Sequence, residues 1–223
     1  KDSAKELETR NLKIGWQIGL DFFGPIAGYA VLDAVDKASG YSTSSTHFKV
    51  SVKSNKKELF NEFSNAKAPE LMQEIINTYA KNSHHQKEYR QSIHEARADS
   101  DKKFKSQAMK KLCSDNGIQM SFSPPNQHAW NGLVEQHHGV ISNQITSLYA
   151  CARWIPEGLW PDAWNLAETL LNLHESHLPD VDQTKYESFT GEKPNWNTLG
   201  ILPFGQPVMF QEIGEEGRFQ DKS

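Results

Sequence analysis

The chain begins with a succession of short apolar runs that fit β-strands. Two such runs, 14–22 and 29–34, lie on either side of the turn-forming segment 24–28 and predict a β-hairpin. The segment 43–52 is rich in Ser, Thr and Val and predicts a third strand. Three consecutive short strands indicate an antiparallel meander.

Helical and strand-like runs alternate in the rest of the chain. Leu71, Ile75, Ile76 and Tyr79 recur at helical spacing, and Pro69 suits the first turn of that helix, whereas the polar run 54–69 fits no element. Further runs predict a strand at 92–98, a helix at 104–112, a strand at 118–122, and helices at 131–149 and 160–176. Residues 178–223 are loop-rich, with a short strand at 207–211. The resulting order is βββαβαβαα.

The helix at 131–149 is predicted to have two different faces. Its inward face is formed by Leu133, His137, Val140, Ile141 and Leu148. Glu135 falls on the opposite face, with His138, Ser142 and Thr146. A carboxylate in the first turn is also favoured by the helix dipole, so its position alone assigns it no function.

Composition limits the class of protein. The 223 residues fit one domain with short additions, and the 37% apolar content and mean hydropathy of −0.68 indicate long surface loops or a surface covered by partners. No run reaches the ~18 apolar residues of a membrane span, and the start lacks a signal-peptide core, which predicts a soluble, intracellular protein. The two cysteines, Cys113 and Cys151, make a disulfide framework or structural zinc finger improbable.

Three carboxylates fall on three different predicted elements. Asp21 closes the first strand-like run, Asp99 follows the strand at 92–98, and Glu135 lies one turn into a helix. Each residue alone is common in turns or at helix starts. Together they are the minimum set for holding two divalent cations, and 35 residues separate Asp99 from Glu135.

Several sequence segments occur around these carboxylates in a fixed order. They are Asp21-Phe22-Phe23-Gly24-Pro25-Ile26, Ser123-Pro124, Asn131-Gly132-Leu133-Val134-Glu135, Thr184-Lys185-Tyr186-Glu187, Gly191-Glu192-Lys193-Pro194 and Leu202-Pro203-Phe204-Gly205. This ordered set resembles the catalytic core of a retroviral-type integrase, and within that superfamily it is most similar to the copia-like retrotransposons. The resemblance extends from about Ile14 to Phe210.

The resemblance implies a fold and a reaction. The expected fold is α/β and ribonuclease H-like, with a mixed five-stranded sheet flanked by helices. Asp21 and Asp99 would hold one Mg²⁺ or Mn²⁺ ion, and Asp21 with Glu135 a second. The implied reactions are DNA 3′-end processing and strand transfer, that is, DNA integration by a polynucleotidyl transferase, with water and then a 3′-hydroxyl as nucleophile.

Other acidic residues and histidines compete for these roles. Asp101 leaves 33 residues before Glu135, and Asp115, in a segment similar to Asp-Asn-Gly, leaves 19, so the spacing favours Asp99. Asp33 and Asp36 are predicted to be turn or strand-end residues. Five other histidines are predicted to lie on the surface: His84, His85, His94, His174 and His177. A zinc site at His174 and His177 would need further ligands.

The resemblance also implies partners and a domain organisation. DNA would be contacted by Asn131 and by a local cluster of lysines: Lys102, Lys103, Lys105 and Lys110. A solvated helix face explains the lysine cluster equally well. A homodimer or higher oligomer and a location in the nucleus, or in a cytoplasmic particle, are implied. Residues 1–13 are expected to be a linker, 14–178 the core and 179–223 an extension, all within a longer polyprotein.

Two alternatives remain open at this stage. The net charge is −4, the pI is near 6.2, and no Lys or Arg occurs from Asn131 to Ala150, which favours a decayed or domesticated relative that binds nucleic acid or protein without catalysis. The sequence Ser100-Asp101-Lys102-Lys103, where integrases have Asn-Gly-Gly-Glu, favours it too. A ribonuclease H-type hydrolase shares the metal chemistry but fits the segment at Asn131 and the tail poorly.

Overall fold

The computed structural model describes residues 13–49, 56–82, 93–123, 132–178, 181–199 and 203–206. Its strands are β1 (Gln17–Ile26), β2 (Tyr29–Asp36), β3 (Ser42–Ser44), β4 (Phe48–Lys49), β5 (Glu95–Ala98) and β6 (Gln119–Phe122). Its helices are α1 (Lys56–Asn82), α2 (Gln107–Asp115), α3 (Gly132–Cys151), α4 (Trp160–Asn172), α5 (Lys185–Thr190) and α6 (Trp196–Leu199). Short 3-10 turns, Lys102–Lys105 and Glu157–Leu159, precede α2 and α4.

The described strands form one mixed sheet in the order β3-β2-β1-β5-β6, with β4 also paired to β2. The first strands pair antiparallel, whereas β5 runs parallel to β1 and β6 parallel to β5. The predicted mixed sheet is thus confirmed, but the predicted third strand is two short strands. Ser45 interrupts it because its N–H donates to the Leu32 carbonyl and its hydroxyl accepts from the Leu32 N–H. Residues 50–52 and 207–211 lie outside the described part.

The two faces of the sheet pack against different helices. Side chains at even positions of β1 and β2, such as Leu20 and Leu32, join the larger apolar core with α1, α2 and α5. Side chains at odd positions, such as Phe23 and Val31, pack in a second core with α3 and α4. Since neighbouring residues of a strand point to opposite faces, Asp21 falls on the α3 side.

The hairpin between β1 and β2 depends on a close backbone approach. Gly24 has φ +111°, and a Cβ atom there would lie 2.7 Å from the Tyr29 carbonyl oxygen. Any residue other than glycine would therefore be disfavoured here, both by the positive φ angle and by a steric clash with the Tyr29 carbonyl. The pairing register shifts between Phe23 and Ile26, which lets β1 continue past Asp21 to the turn at Ala27.

Two helices differ from the sequence predictions. α1 begins at Lys56 and contains Pro69, so the prediction that Pro69 opens this helix is wrong. The preceding run has no apolar periodicity to reveal the helix, but Leu71, Ile75 and Tyr79 are buried as expected. The buried face of α3 also differs from the prediction, which placed Val140 inward and His138 outward. Val140 is exposed, and the buried side chains of α3 are Val134, His137, His138, Ile141 and Ile145. The buried face is therefore rotated by about one residue from the predicted one.

The other helices follow the sequence more closely. Phe104 of the 3-10 turn before α2 and Met109 of α2 pack inward, and the Ser106 side chain caps α2 by accepting from the Met109 N–H. On α4 the four predicted side chains are buried: Trp160, Trp164, Ala167 and Leu171. Trp154 and Trp196 are exposed. No helix in the described residues is long and apolar enough to cross a membrane.

Candidate active site

Asp21 and Asp99 are brought together by the parallel pairing of β1 with β5. Leu20 and Ala98 are the last paired residues of these strands, so the two aspartates follow at the same level of neighbouring strands. β5 ends at Ala98, as predicted, and Asp99 begins the connection that follows. β1 continues to Ile26, so Asp21 lies in mid-strand and the prediction that it closes the run is wrong.

The Asp21 carboxyl is surrounded by other charged groups. Its pKa is raised to about 6, mainly by burial and to a small extent by the negative charge of Asp99, while the charges of His138 and Lys103 and the Phe22 N–H oppose the increase. The Phe22 N–H donates to Asp21 Oδ1 over 2.8 Å. A carboxylate that is costly to ionise beside a second carboxylate is a favourable place for a cation.

Lys103 provides the fixed positive charge near this pair. It is buried, its Nζ lies 3.1 Å from Asp101 Oδ2, and it stands 4.9 Å from the centre of the Phe22 ring. Burial tends to raise the pKa of Asp101, but the charge and hydrogen bond of Lys103 outweigh it and lower that pKa. Asp101, the near rival of Asp99 in sequence, is therefore engaged with Lys103.

Glu135 lies exposed in the first turn of α3. It precedes His138 by three residues, which places both on one side of the helix. His138 is the residue of α3 whose charge acts on Asp21. Glu135 is therefore one helical turn from the residue that faces the aspartates, and it faces solvent in this structure.

The other acidic residues considered as candidates have environments different from that of Asp21. Asp115 is exposed at the end of α2 and is not among the groups that act on Asp21. Asp36 ends β2, as predicted, and its carboxylate accepts from the Gly15 N–H, the Ser39 N–H and the Ser39 hydroxyl. Asp33 is different, because it is fully buried inside β2, and its prediction as a turn or strand-end residue is wrong.

The predicted DNA-contacting residues have different environments. Lys102, Lys105 and Lys110 are exposed along the 3-10 turn and α2. Lys103 is inside the fold, where it acts on Asp21 instead of presenting its charge at the surface. Asn131 lies outside the described residues.

Sequence reasoning missed a second group of titratable side chains. Asp33, His137 and Glu168 offer ligand atoms that all lie within 4.8 Å of one another. His137 was expected to be buried, but Asp33 and Glu168 were given no such role. The available signal was a carboxylate inside an apolar run of β2, and another on α4 beside the buried positions Trp164 and Ala167.

Comparison with solved structures shows which fold this is. A chain of the simian T-cell lymphotropic virus intasome in complex with PP2A regulatory subunit B56 gamma superposes with TM-score 0.59 at 17% identity, covering 91% of this chain and 62% of that one. The BIV integrase catalytic core domain superposes with TM-score 0.51 at 16% identity, covering 78% and 93%. The chain has the ribonuclease H-like fold of a retroviral integrase catalytic core.

Another integrase core structure contains a metal. The HTLV-2 integrase catalytic core domain in complex with magnesium, in a trimeric form, superposes with TM-score 0.50 at 18% identity, covering 81% of this chain and 99% of that one. No family profile and no curated protein sequence matches the chain. At these low sequence identities, the similarity to the solved structures is a similarity of fold alone. The chain spans 62% of the length of the intasome chain.

The residues at the junction of β1 and β5 fit a hard divalent cation. Both donors are carboxylates, the type that Mg²⁺ and Mn²⁺ prefer. Asp21 is partly buried and acted on by the charge of Asp99, so a cation would relieve a repulsion that the fold imposes. The Asp21–Asp99 pair is therefore a chemically suitable metal centre.

Proposed function

We propose that this chain is the catalytic core of a DNA-integrating enzyme of the retrotransposon type, which trims DNA 3′ ends and joins them to target DNA. The observation that carries the proposal is that Asp21 and Asp99 directly follow the last paired residues of β1 and β5, and that the charge of Asp99 acts on Asp21. The fold supports it, because the HTLV-2 core of the same fold is a magnesium complex. The copia-like subgroup rests on the sequence resemblance alone.

In this proposal Asp21 and Asp99 hold one Mg²⁺ or Mn²⁺ ion, and Asp21 with Glu135 a second. The chemistry that two such ions supply when bound is charge stabilisation on the attacking and leaving oxygens of an in-line phosphodiester exchange. Asp21 must be ionised to act as a ligand, and its pKa of about 6 leaves it mainly ionised at neutral pH. Lys103, which is paired with Asp101, favours that ionised form through its charge.

DNA is the proposed partner of the surface next to this site. Lys102, Lys105 and Lys110 are exposed there and carry charges suited to phosphate contacts. Asn131 would contribute from just before α3.

We propose that the core works as a dimer or higher oligomer, and the trimeric form of the HTLV-2 core supports self-association. Sedimentation of the purified chain over a range of concentrations tests this, and a monomer throughout would contradict it.

A second candidate function is favoured by one observation. α3 carries no Lys or Arg along its 20 residues, so the helix that begins at the site offers no cation to DNA. This absence favours a relative of an integrase that binds nucleic acid or protein without cutting or joining DNA. The two functions share the fold and differ in the need for a divalent cation.

Joining of a labelled DNA end to a target plasmid, with Mg²⁺ or Mn²⁺, separates the two functions. Asp99→Asn removes one negative ligand with little change of shape, whereas Asp115→Asn makes the same change on the exposed end of α2. We expect metal-dependent joining or nicking by the parent and the Asp115→Asn variant, and none by Asp99→Asn. A folded parent that binds DNA but neither nicks nor joins it would favour the binding function, whereas full activity of Asp99→Asn would contradict the role proposed for Asp99.

A further inference from the structure

A cluster of buried polar side chains lies between β2, α3 and α4. Asp33 contributes from the middle of β2, His137 from the second turn of α3 and Glu168 from α4. One ligand atom from each residue lies within 4.8 Å of those of the other two. Asp33 is completely buried and His137 is 6% exposed, so the cluster belongs to the interior of the protein.

The polar atoms of this cluster lack the partners that buried groups normally have. Within the described part of the chain, neither oxygen of Asp33, nor His137 Nε2, nor Glu168 Oε1 takes part in a hydrogen bond, although all are shielded from solvent. Buried polar atoms of folded proteins are almost always hydrogen-bonded or bound to an ion. Asp33 Oδ2 makes longer contacts with His137 Nε2 and His138 Nε2, at 3.4 and 3.3 Å, but these do not form hydrogen bonds. The lack of hydrogen bonds at these buried atoms therefore points to a ligand.

The charges indicate a cation. Burial raises the pKa of Glu168, and the charge of Asp33 raises it further. Burial lowers the pKa of His137, although the charge of Asp33 opposes this, so the imidazole tends towards its neutral, metal-binding form. Two carboxylates and a neutral imidazole are costly to enclose alone, and a divalent cation among them would offset that cost.

The spacing suits a small tetrahedral ion. Two ligands bonded to one tetrahedral Zn²⁺ at about 2.0–2.1 Å are separated from each other by roughly 3.3–3.4 Å. His137 Nε2 lies 3.4 Å from Asp33 Oδ2. This distance matches the separation expected for two zinc ligands, and because all three ligand atoms lie within 4.8 Å of one another, the set would contract when it binds an ion.

A second group of residues orients the Glu168 carboxylate. Its Oε2 accepts a hydrogen bond of 2.9 Å from the Ser44 hydroxyl, and Ser44 Oγ in turn accepts from Trp164 Nε1 over 3.2 Å. Oε1 is left without a partner in the described residues. Metal-binding side chains are commonly held by hydrogen bonds of this kind, with one atom fixed and another available.

We infer that Asp33, His137 and Glu168 form a binding site for a transition-metal dication of the Zn²⁺ class. The mixed imidazole and carboxylate donors distinguish it from the all-carboxylate pair of Asp21 and Asp99, which suits Mg²⁺ or Mn²⁺. His138 Nε2 also lies 3.3 Å from Asp33 Oδ2, but His138 is outside the set of mutually close ligand atoms. The inference does not depend on catalysis at the Asp21–Asp99 pair.

Calorimetric titration of the full chain with Zn²⁺, in the presence of excess Mg²⁺, tests the site. We expect one equivalent of Zn²⁺ to bind to the parent and equally to Asp99→Asn, which alters only the other pair. Glu168→Gln should weaken binding by on the order of tenfold or more, and Ser44→Ala by roughly tenfold to a hundredfold, because it releases the oriented carboxylate. His174→Gln changes an exposed histidine and should leave binding unchanged.

Folding of each variant is checked by circular dichroism, and His137→Gln replaces Glu168→Gln if the latter does not fold. Co²⁺ added to the unaltered chain gives a further readout, because four-coordinate Co²⁺ has much stronger visible absorption than the six-coordinate aqueous ion. Appearance of that absorption, and its removal by one equivalent of Zn²⁺, would support the site. No binding by the parent, equal binding by Glu168→Gln and His174→Gln, or loss of the site in Asp99→Asn would overturn the inference.

Discussion

Asp21 and Asp33 lie directly opposite each other on the antiparallel strands β1 and β2. Both side chains fall on the face of the sheet that packs against α3, and His138 of that helix acts on both, through its charge on Asp21 and at 3.3 Å from Asp33 Oδ2. The candidate active site and the buried cluster are therefore neighbours on one face of the sheet, linked by one imidazole.

Asp21→Asn should make the metal-free protein more stable at neutral pH. The Asp21 pKa is about 6 in the folded state and 3.8 at its ordinary value, so the folded state holds this proton more strongly. The resulting stabilisation is complete below about pH 4 and is lost as the pH rises through about 6. In urea unfolding, the free energy of unfolding of the variant should therefore rise above that of the parent across this pH range, by on the order of 3 kcal/mol at pH 7.

Asp115→Asn is the control for that titration, because Asp115 is exposed and is not among the groups that act on Asp21. Burial also raises the Asp36 pKa to about 6, but Asp36 is present in the parent and both variants, so its effect cancels in the differences. If the free energies of unfolding of Asp21→Asn and the parent differ by the same amount at every pH, the environment described for Asp21 is contradicted.

Lys103→Met should raise the Asp21 pKa above about 6. The Lys103 charge lowers that pKa in the parent, and the methionine side chain retains much of the apolar contact with Phe22. Carboxyl-carbon NMR titration of Asp21 measures the change. Lys102→Met removes the neighbouring exposed charge and should shift the titration much less, so equal shifts in the two variants would show that Lys103 has no special position.

Phe189→Ala should destabilise the whole fold. Phe189 of α5 is fully buried, stacks on Tyr41 with ring centres 4.2 Å apart, and meets the edge of Tyr79 from α1. Removal of a buried phenylalanine side chain costs about 3–5 kcal/mol, measurable by urea unfolding. Trp196→Ala, at a residue that is 66% exposed, should change stability by less than about 0.5 kcal/mol. A small effect of Phe189→Ala would mean that α5 is dispensable to the core.

Local pattern was sufficient to predict that Asp21 and Asp99 each follow an apolar run, whereas their shared site was expected only from the family resemblance. The structure pairs Leu20 with Ala98, so the two aspartates follow at neighbouring positions of adjacent strands. The individual strands were predictable from their apolar runs, and the mixed pairing of the sheet from the resemblance. Glu135 was assigned to a helix start correctly, although the helix face was misjudged by about one position, because one residue corresponds to a rotation of roughly 100°.

The buried cluster was not predictable from local pattern. Asp33 interrupts an apolar strand, and a carboxylate in such a run suggests a strand end unless a partner is known. Its partners come from α3 and α4, more than 100 positions along the chain, and only the three-dimensional packing brings them together. The start of α1 was missed for a simpler reason, since a polar segment followed by Pro69 has the local signature of a helix beginning there.

Anomalous diffraction from crystals soaked in Mn²⁺ tests the Asp21–Asp99 metal centre, because it locates the bound ion without reference to activity. We expect an anomalous peak within bonding distance of both the Asp21 and Asp99 carboxylates, and its loss in crystals of Asp99→Asn. Mn²⁺ found only at Asp33, His137 and Glu168, or at neither position in well-ordered crystals, would contradict the assignment of the Asp21–Asp99 pair as the metal centre of an integrase-type core.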